Sequence, residues 1–540
     1  MNSLSIHSTS NADDLVSTAA KLRFLLGLSG KSSVLLIGEF CNEYLEDLEK
    51  IFGYVCRYDC WIDFTEDISD ERMFDLVIFD GRRNSRVLDR FSKIIRSVNR
   101  FIKPAGIVLI FSHNRYELSA IKSNLNGKSS LKGLLPWDIK RISKAAGFGF
   151  IREFSLAPDV YMPEEYVSTE CGSVELRADV RWIVKLLNYL GLHRFLHGGY
   201  FYIIARGSDN SCLQQLKTVF MLLPEGELPP DQDIKLERFY LRNRGSLLLV
   251  LLNNATCTKY LARIATSRKI NSVLSRNREA VDRIHNLPEI APEIRMKIPR
   301  IVDKRDLNGA NIYIEEYKTG VIAWKLRRDP ALDRVIYSNA FEFIYKFNLG
   351  TRKQQTVTDQ LFDKIIGHDL DRLGKAFAEN NYQVIWVNRV RDLLYSWFSG
   401  RQITVVIGHG DYGPGNILCD EKSGALLAVI DWDTYVGKEL PGVDFLNYRL
   451  QQLRNAREWD LVAAIGDLYQ ELAGREYPDT RMPGYNESDF GITCKDLIAY
   501  LCITVIRFAR RSVPYRKEFL DLLDENSNAI KAVYRILKSL

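Results

Sequence analysis

Between about Lys31 and Gly207, short apolar runs alternate with stretches whose apolar residues recur at helical spacing, the pattern of a parallel sheet covered by helices. Val34–Ile37, Leu76–Phe79, Gly106–Phe111, Phe150–Phe154 and Tyr200–Ala205 are the predicted strands. Tyr44–Phe52, Val87–Phe101 and Trp137–Ala146 are the predicted helices, the last stopped by Gly147 at a position suited to a left-handed C′ residue. Residues 156–198 read as an insertion, partly helical around Val180–Leu190, and Arg206–Asn210 as a polar junction. From about Cys212 the pattern changes. ERFYLRNRGS, LLLVLLNN and ATCTKYLARIAT predict three antiparallel strands, turning at Asn243–Gly245 and Asn253–Asn254. A helix near Arg276–Ile284 and a strand at Ile312–Glu316 follow, and beyond Tyr317 the chain is mostly helical with one interruption. The expected fold class is α/β plus α+β, with one domain over 21–207 and a two-lobed one over 212–540, its lobes being 212–317 and 318–540.

Composition narrows the field. A length of 540 residues corresponds to three or four domain equivalents at about 150 residues each, and 46% hydrophobic with 26% charged residues is ordinary globular usage. Disorder, collagen and small disulfide scaffolds are excluded. Apolar runs such as Leu247–Leu252 fall well short of the roughly 18 residues a membrane-spanning helix needs. The opening MNSLSIHSTSNADD has no basic region followed by an apolar one, so a cytoplasmic protein is expected. Nine scattered cysteines without paired CxxC spacing read as reduced core thiols. The net charge of +6, from 74 basic and 68 acidic residues, is too small and too dispersed to predict a nucleic-acid partner. RRNSR near Arg82 and RFARR near Arg510 read as solvated faces.

The chemistry concentrates in VVIGHGDYGPGNILCDEKSGALLAVIDWDTYVGKELPGVD, Val405 to Asp444. An apolar strand delivers His409, Gly410 and Asp411; Asn416 follows five residues later, and a second apolar run ends at Asp431. Phosphoryl transfer needs one carboxylate to orient and deprotonate the attacking hydroxyl, which suits Asp411. It also needs hard oxygen ligands for Mg2+, which suits Asn416 and Asp431.

This segment resembles the aminoglycoside phosphotransferase and choline kinase family, small-molecule relatives of the protein kinases. HGDYGPGN matches the family's H-G-D-x-x-x-x-N loop, IDWD its I-D-[WF]-[DE] element, and the P-G-V-D containing Asp444 its following structural aspartate. His409, Gly410, Asp433 and Asp444 would then support the loop, and Gly410 replaces the arginine with which protein kinases read an activation-loop phosphate. The resemblance further implies that Arg263 contacts the nucleotide phosphates, with Lys259 as a fallback, and that Glu279 is its ion-pair partner. Gly245 and Ser246 would cover the phosphates through backbone N–H groups, and Glu315 to Tyr317 would meet the purine. ATP or GTP would be the co-substrate, and a hydroxyl of a small molecule, sugar or glycan the acceptor. Trp386, Tyr395 and Trp397, or the acidic clusters Asp369–Asp371 and Asp521–Glu525, are candidates for lining the acceptor site.

FDLVIFDG, FIKPAGIVLIFS, LPWDIKRISKAAGFGFIREF and GGYFYIIARG resemble the late elements of a class I S-adenosylmethionine-dependent methyltransferase with a Rossmann-like sheet. The resemblance is degenerate at the cofactor loop. LLIGEFCNEY offers only Gly38, and Glu39, Phe40 and Asn42 stand where bare backbone would let the cofactor approach. Asp59 is the candidate for the cofactor's ribose hydroxyls. The leading expectation is a Mg2+-dependent small-molecule kinase. Its alternatives are a bifunctional methyltransferase and kinase acting on a carbohydrate or natural product, and a scaffold with both domains inactive. Oligomeric state stays open.

Overall fold

The computed structural model describes residues 28, 31–38, 48–49, 52–58, 73–80, 91–113, 136–157, 165–168, 199–206, 234–240, 246–253, 256–265, 267–307, 310–327, 329–379, 384–457, 460–473, 487–512 and 520–540. The chain divides into two units. One runs to Leu274 and takes in Ile301–Tyr317; the other comprises Ser275–Arg300 and Lys318–Leu540.

In the first unit, β1 (Ser33–Gly38), β2 (Tyr54–Tyr58), β3 (Phe74–Asp80) and β4 (Ile102–His113) are parallel in the order β2-β1-β3-β4. β5 (Phe150–Ala157), β6 (Glu165–Ser168) and β7 (Gly199–Ala205) follow. β7 lies between β4 and β5 and runs antiparallel to both, so the sheet is mixed where the sequence pattern suggested a parallel one. Chain returning from the 156–198 insertion needs no helical crossover if it enters reversed, and hydrophobic period alone does not report strand direction. The insertion also supplies β6; Val180–Leu190, like residues 44–47 of a predicted helix, lies outside the described residues.

β6 pairs on its other side with β8 (Ile234–Tyr240), and from there β9 (Ser246–Asn253), β10 (Thr258–Ala265), β11 (Ile301–Leu307) and β12 (Ala310–Glu316) continue antiparallel in the order β8-β9-β10-β12-β11. The strands expected to begin a separate second domain thus extend the first sheet to twelve strands. β9, SLLLVLLN, is apolar on both faces as a central strand must be. β10 alternates: Tyr260, Ala262 and Ile264 enter a core that runs along one sheet face from Val34 to Ile314, leaving Lys259, Leu261 and Arg263 on the other. Rings of Phe111, Phe201, Phe154 and Phe239 form a seam across the junction, with successive centroids 4.8, 6.1 and 5.1 Å apart.

Over β1 to β5 and β7 the opposite face is covered by the helices Phe91–Phe101 and Pro136–Ala145. The first buries Phe91, Ile94, Ile95 and Val98, the i, i+3, i+4, i+7 stripe of a half-buried helix. The second ends as the sequence suggests: Gly147 adopts φ +92°, and its N–H and that of Phe148 donate to the carbonyls of Lys144 and Ser143.

The second unit is mostly helical. Its long helices are Pro330–Thr351, Ile385–Phe398, Val443–Ala456, Leu461–Leu472, Cys494–Ser512 and Leu520–Ser539. Asp329 caps the first by accepting from the N–H groups of Ala331 and Leu332, with Pro330 at N1. Two small sheets interrupt the helices. One orders β13 (Val321–Ile322), β16 (Ile417–Cys419) and β17 (Leu426–Val429); the other orders β14 (Lys353–Thr356), β15 (Gln402–Gly408) and β18 (Val436–Glu439).

Two expectations change. Cys419 and Cys502 are core thiols, but Cys257 and Cys494 are exposed. Arg507, in the run expected to be a solvated face, is buried and ion-paired with Glu439, while Arg510 reaches Asp369 at 2.8 Å. Neighbours distant in sequence supply the counter-charges, so charge clustering along the chain could not reveal this burial. Among the described residues, no helix is long and apolar enough to cross a membrane.

Candidate active site

β15 is apolar and buried from Ile403 onward and delivers the fully buried His409. Asp444, in the first turn of the helix Val443–Ala456, accepts two adjacent backbone hydrogen bonds, from His409 N–H at 2.6 Å and Gly410 N–H at 2.9 Å. His409 donates from Nε2 to the carbonyl of Ile430 at 2.9 Å and accepts from Asp411 N–H on Nδ1 at 3.2 Å, partners that assign its neutral tautomer. Thr434 Oγ1 donates to the carbonyl of His409. Gly410 has φ +82°, and a Cβ there would lie 2.1 Å from the carbonyl oxygen of Thr434, so only glycine fits. Asp411 therefore leaves a turn fixed on both sides. Asn416 holds it further, donating from Nδ2 to Asp411 O at 2.9 Å and Asp411 Oδ2 at 3.4 Å.

The second carboxylate arrives by the hairpin β16–β17. Ile417 pairs with Val429, and one step beyond that ladder Ile430 N–H donates to Asn416 O at 2.9 Å, so Asp431 leaves the hairpin beside Asn416. Asp431 is left-handed at φ 61° and ψ 63°, a conformation that costs a non-glycine residue on the order of 1–3 kcal/mol and collects at functional sites. Asp433 is half-buried in the 3-10 turn Trp432–Thr434. Asn416 Nδ2 is committed to Asp411, leaving Oδ1 as the amide's acceptor. An amide oxygen and a carboxylate are the hard-oxygen donor types that Mg2+ takes beside phosphates, so the residue chemistry fits the ion.

Residues 253–477 match the model of the APH family, the phosphotransferase enzyme family. This stretch is a phosphotransferase domain. Among solved structures, the chain is similar to an aminoglycoside phosphotransferase from Streptomyces rimosus, at 13% identity over 48% of this chain and 90% of that one, with a TM-score of 0.30. It is similar to a SAM-dependent methyltransferase from Archaeoglobus fulgidus, at 18% identity over 35% and 93% of the two chains, TM-score 0.25. It is also similar to WbdD, at 10% identity over 94% and 89%, TM-score 0.23. Likenesses this distant carry no functional argument. No curated protein matches the chain.

The strands of the phosphotransferase domain that lie in the first unit carry the groups expected at the nucleotide. Arg263 Nε forms an ion pair with Glu315 on the neighbouring strand β12, both side chains largely buried. Lys259 Nζ lies 2.9 Å from Glu237 and 5.7 Å from the centre of the Tyr317 ring. Burial favours the neutral form of Glu237, but hydrogen bonds from Lys259 and Arg238 outweigh it and hold the carboxyl below the usual glutamate range. Tyr317 N–H donates to the carbonyl of Lys259 at 3.3 Å. Ser246 opens β9, buried and opposite Ala265, while Gly245 lies outside the described residues. Glu279 is exposed on the helix Arg268–His285 and accepts from Ser275 Oγ at 3.1 Å.

The helix phase turns Leu274, Asn277, Ala280, Val281 and Ile284 inward. Asn277, which the sequence reading did not single out, accepts from Trp432 N–H at 2.8 Å. Asn348 and Thr351 were missed as well. They bond the carbonyl and the N–H of Ile407, steadying the strand that ends at His409. A polar residue buried in a helix has no sequence signature separating it from an exposed one.

Among the acceptor-site candidates, Asp369 pairs with Arg507 and Arg510, Asp371 with Arg391, and Glu525 with Arg454. Tyr395 donates to Asp359 at 2.7 Å, Trp397 Nε1 to Asp496, and Trp386 packs on Tyr534.

In the sheet of the first unit, β1 is flanked by β2 on one side and β3 on the other. That is a topological switch point, where open α/β sheets meet ligands at strand carboxyl ends. Gly38 sits at this end, directly opposite the buried Asp80, which the sequence reading did not single out; Asp59 lies outside the described residues.

Proposed function

We propose that the phosphotransferase domain transfers the γ-phosphoryl group of ATP or GTP to a hydroxyl of a small molecule, sugar or glycan. The carrying observation is the shared anchoring of Asp411, Asn416 and Asp431: one amide side chain steadies the first carboxylate while its backbone carbonyl accepts the N–H that precedes the second. Asp411 orients the acceptor hydroxyl and takes its proton as the new O–P bond forms, while the bond to the β-phosphate oxygen breaks and the nucleoside diphosphate leaves. Asn416 Oδ1 and the Asp431 carboxylate hold Mg2+, which when bound neutralises charge on the phosphates. Arg263 contacts the phosphates, its guanidinium offering a permanent charge and a fork, with Lys259 the fallback.

Gly245 and Ser246 belong to the same assignment as backbone donors and Glu315 to Tyr317 as the purine-facing edge; Arg263's ion-pair partner is Glu315, and Glu279, bonded to Ser275, is not carried over. His409, Gly410, Asp433 and Asp444 support the loop. Such a transfer draws on the cytoplasmic nucleotide pool. No methyl transfer is assigned to the switch point, because Gly38 stands there without the other glycines that admit the cofactor. A coupled assay of nucleoside diphosphate release, run with panels of aminoglycosides, amino alcohols and sugars, tests the proposal. Release that requires both Mg2+ and an acceptor is expected; its absence across the panel with both ATP and GTP would refute the reading.

A further inference from the structure

Residues 275–300 hold the turn around Asp431 from two sides. Lys297 O accepts from Val429 N–H at 2.8 Å, and Asn277 Oδ1 accepts from Trp432 N–H at 2.8 Å. The two bonds bracket Ile430 and Asp431, and the bracketed aspartate is one of only two non-glycine residues with positive φ among those described. Asn277 is 5% exposed, so its amide oxygen is placed by packing rather than found by chance contact with a mobile side chain. Trp432 is itself fixed. Its ring is buried, lies 4.5 Å from the His409 ring and 5.2 Å from that of Phe347, and donates from Nε1 to Val429 O. The helix bearing Asn277 reaches the same turn again through Arg283, whose guanidinium lies 5.8 Å from the centre of the Tyr435 ring.

We propose that Asn277 is a positioning residue for Asp431, fixing the left-handed backbone that presents its carboxylate to Mg2+; this rests on the metal-binding role given to Asp431 above. A buried backbone N–H that loses its acceptor seeks another, and the peptide next to Asp431 then turns with it. Rigid support of this kind is what sets the affinity of a metal-binding carboxylate.

The test compares wild type, Asn277→Ala and Asn277→Asp in the full-length protein. ATP binding is measured by calorimetry across a magnesium titration, and amide hydrogen exchange is followed at Trp432 without nucleotide. Asn277→Ala is expected to raise the half-saturating magnesium concentration about tenfold, leave magnesium-free ATP affinity unchanged and speed Trp432 exchange. Asn277→Asp keeps the accepting oxygen and is expected to restore slow exchange and most of the magnesium affinity, which a purely structural role would not predict. Thermal melts confirm that the variants fold. If the alanine variant does not fold, the aspartate variant decides, and weakened magnesium binding with slow Trp432 exchange would overturn the inference. A folded alanine variant with wild-type magnesium dependence overturns it while leaving the phosphotransferase reading intact. Wild-type protein without magnesium-dependent ATP binding overturns both.

Discussion

The carboxylate of Asp411 and the guanidinium of Arg263 are both expected to act on the same chemistry, yet they are held by opposite means. Asp411 sits in a turn steadied by two neutral side chains: its N–H donates to the His409 ring, and the Asn416 amide donates to its carbonyl and its carboxylate. Arg263 is held by an opposite charge, Glu315, in the interior of a sheet. Phosphate must therefore compete with a partner already in place. The loop is preorganised, whereas the strand has to exchange partners, so damage to the first should appear in turnover and damage to the second in binding.

The largest separation should come from Asp411→Asn, which keeps shape but cannot accept the proton. Turnover is expected to fall about 10²- to 10⁴-fold, with Mg2+-nucleotide affinity nearly unchanged. Parallel losses in both would erase the contrast. Next is Gly410→Ala, where a left-handed backbone and a Cβ 2.1 Å from a carbonyl oxygen together predict about 2–5 kcal/mol of destabilisation in denaturant titrations, with turnover impaired in whatever remains folded. A change under about 0.5 kcal/mol would mean the turn is not as confined as its geometry indicates.

On the strand side, Glu315→Gln removes the carboxylate that pairs with Arg263. The expected outcome is a lower Tm together with roughly three- to tenfold tighter nucleotide binding, because the phosphates then meet a cation that Glu315 no longer holds. Weaker binding would show that Glu315 orients Arg263 rather than competing for it. The smallest effect concerns Glu237, whose carboxyl is held below its ordinary range by Lys259 and Arg238 against the opposing effect of burial. Its contribution is present above the unfolded value of about 4.3 and is lost as pH falls through the lower folded value. Comparing melts of wild type and Glu237→Gln from pH 7 to pH 3 should show a difference of about 2–4 °C that shrinks at the acid end.

The readable part of the molecule was the part written locally. HGDYGPGN and IDWD are short enough that chain order fixes their geometry, while β9 announces itself by a continuous apolar run and β10 by alternation. Gly147 could be placed because a helix end has its own local chemistry. What stayed hidden depends on partners far along the chain. The reversal of β7 and the bridging of two sheet halves by β6 are choices of neighbour, to which the hydrophobic period is blind. The Arg507–Glu439 pair joins residues 68 apart, and the Asn277–Trp432 bond joins residues 155 apart. In the helix Arg268–His285 the sequence directed attention to Glu279, while the phase of the helix turned Asn277 inward, two residues away.

The central claim is a working metal-nucleotide site built on Asn416 and Asp431. Calorimetric titration of ATP and of GTP into the full-length protein, with and without magnesium, tests it most directly. The account predicts binding of at least one nucleotide that strengthens with magnesium and loses that dependence in Asp431→Ala. Binding of neither nucleotide under either condition, or magnesium dependence undiminished in Asp431→Ala, would contradict it.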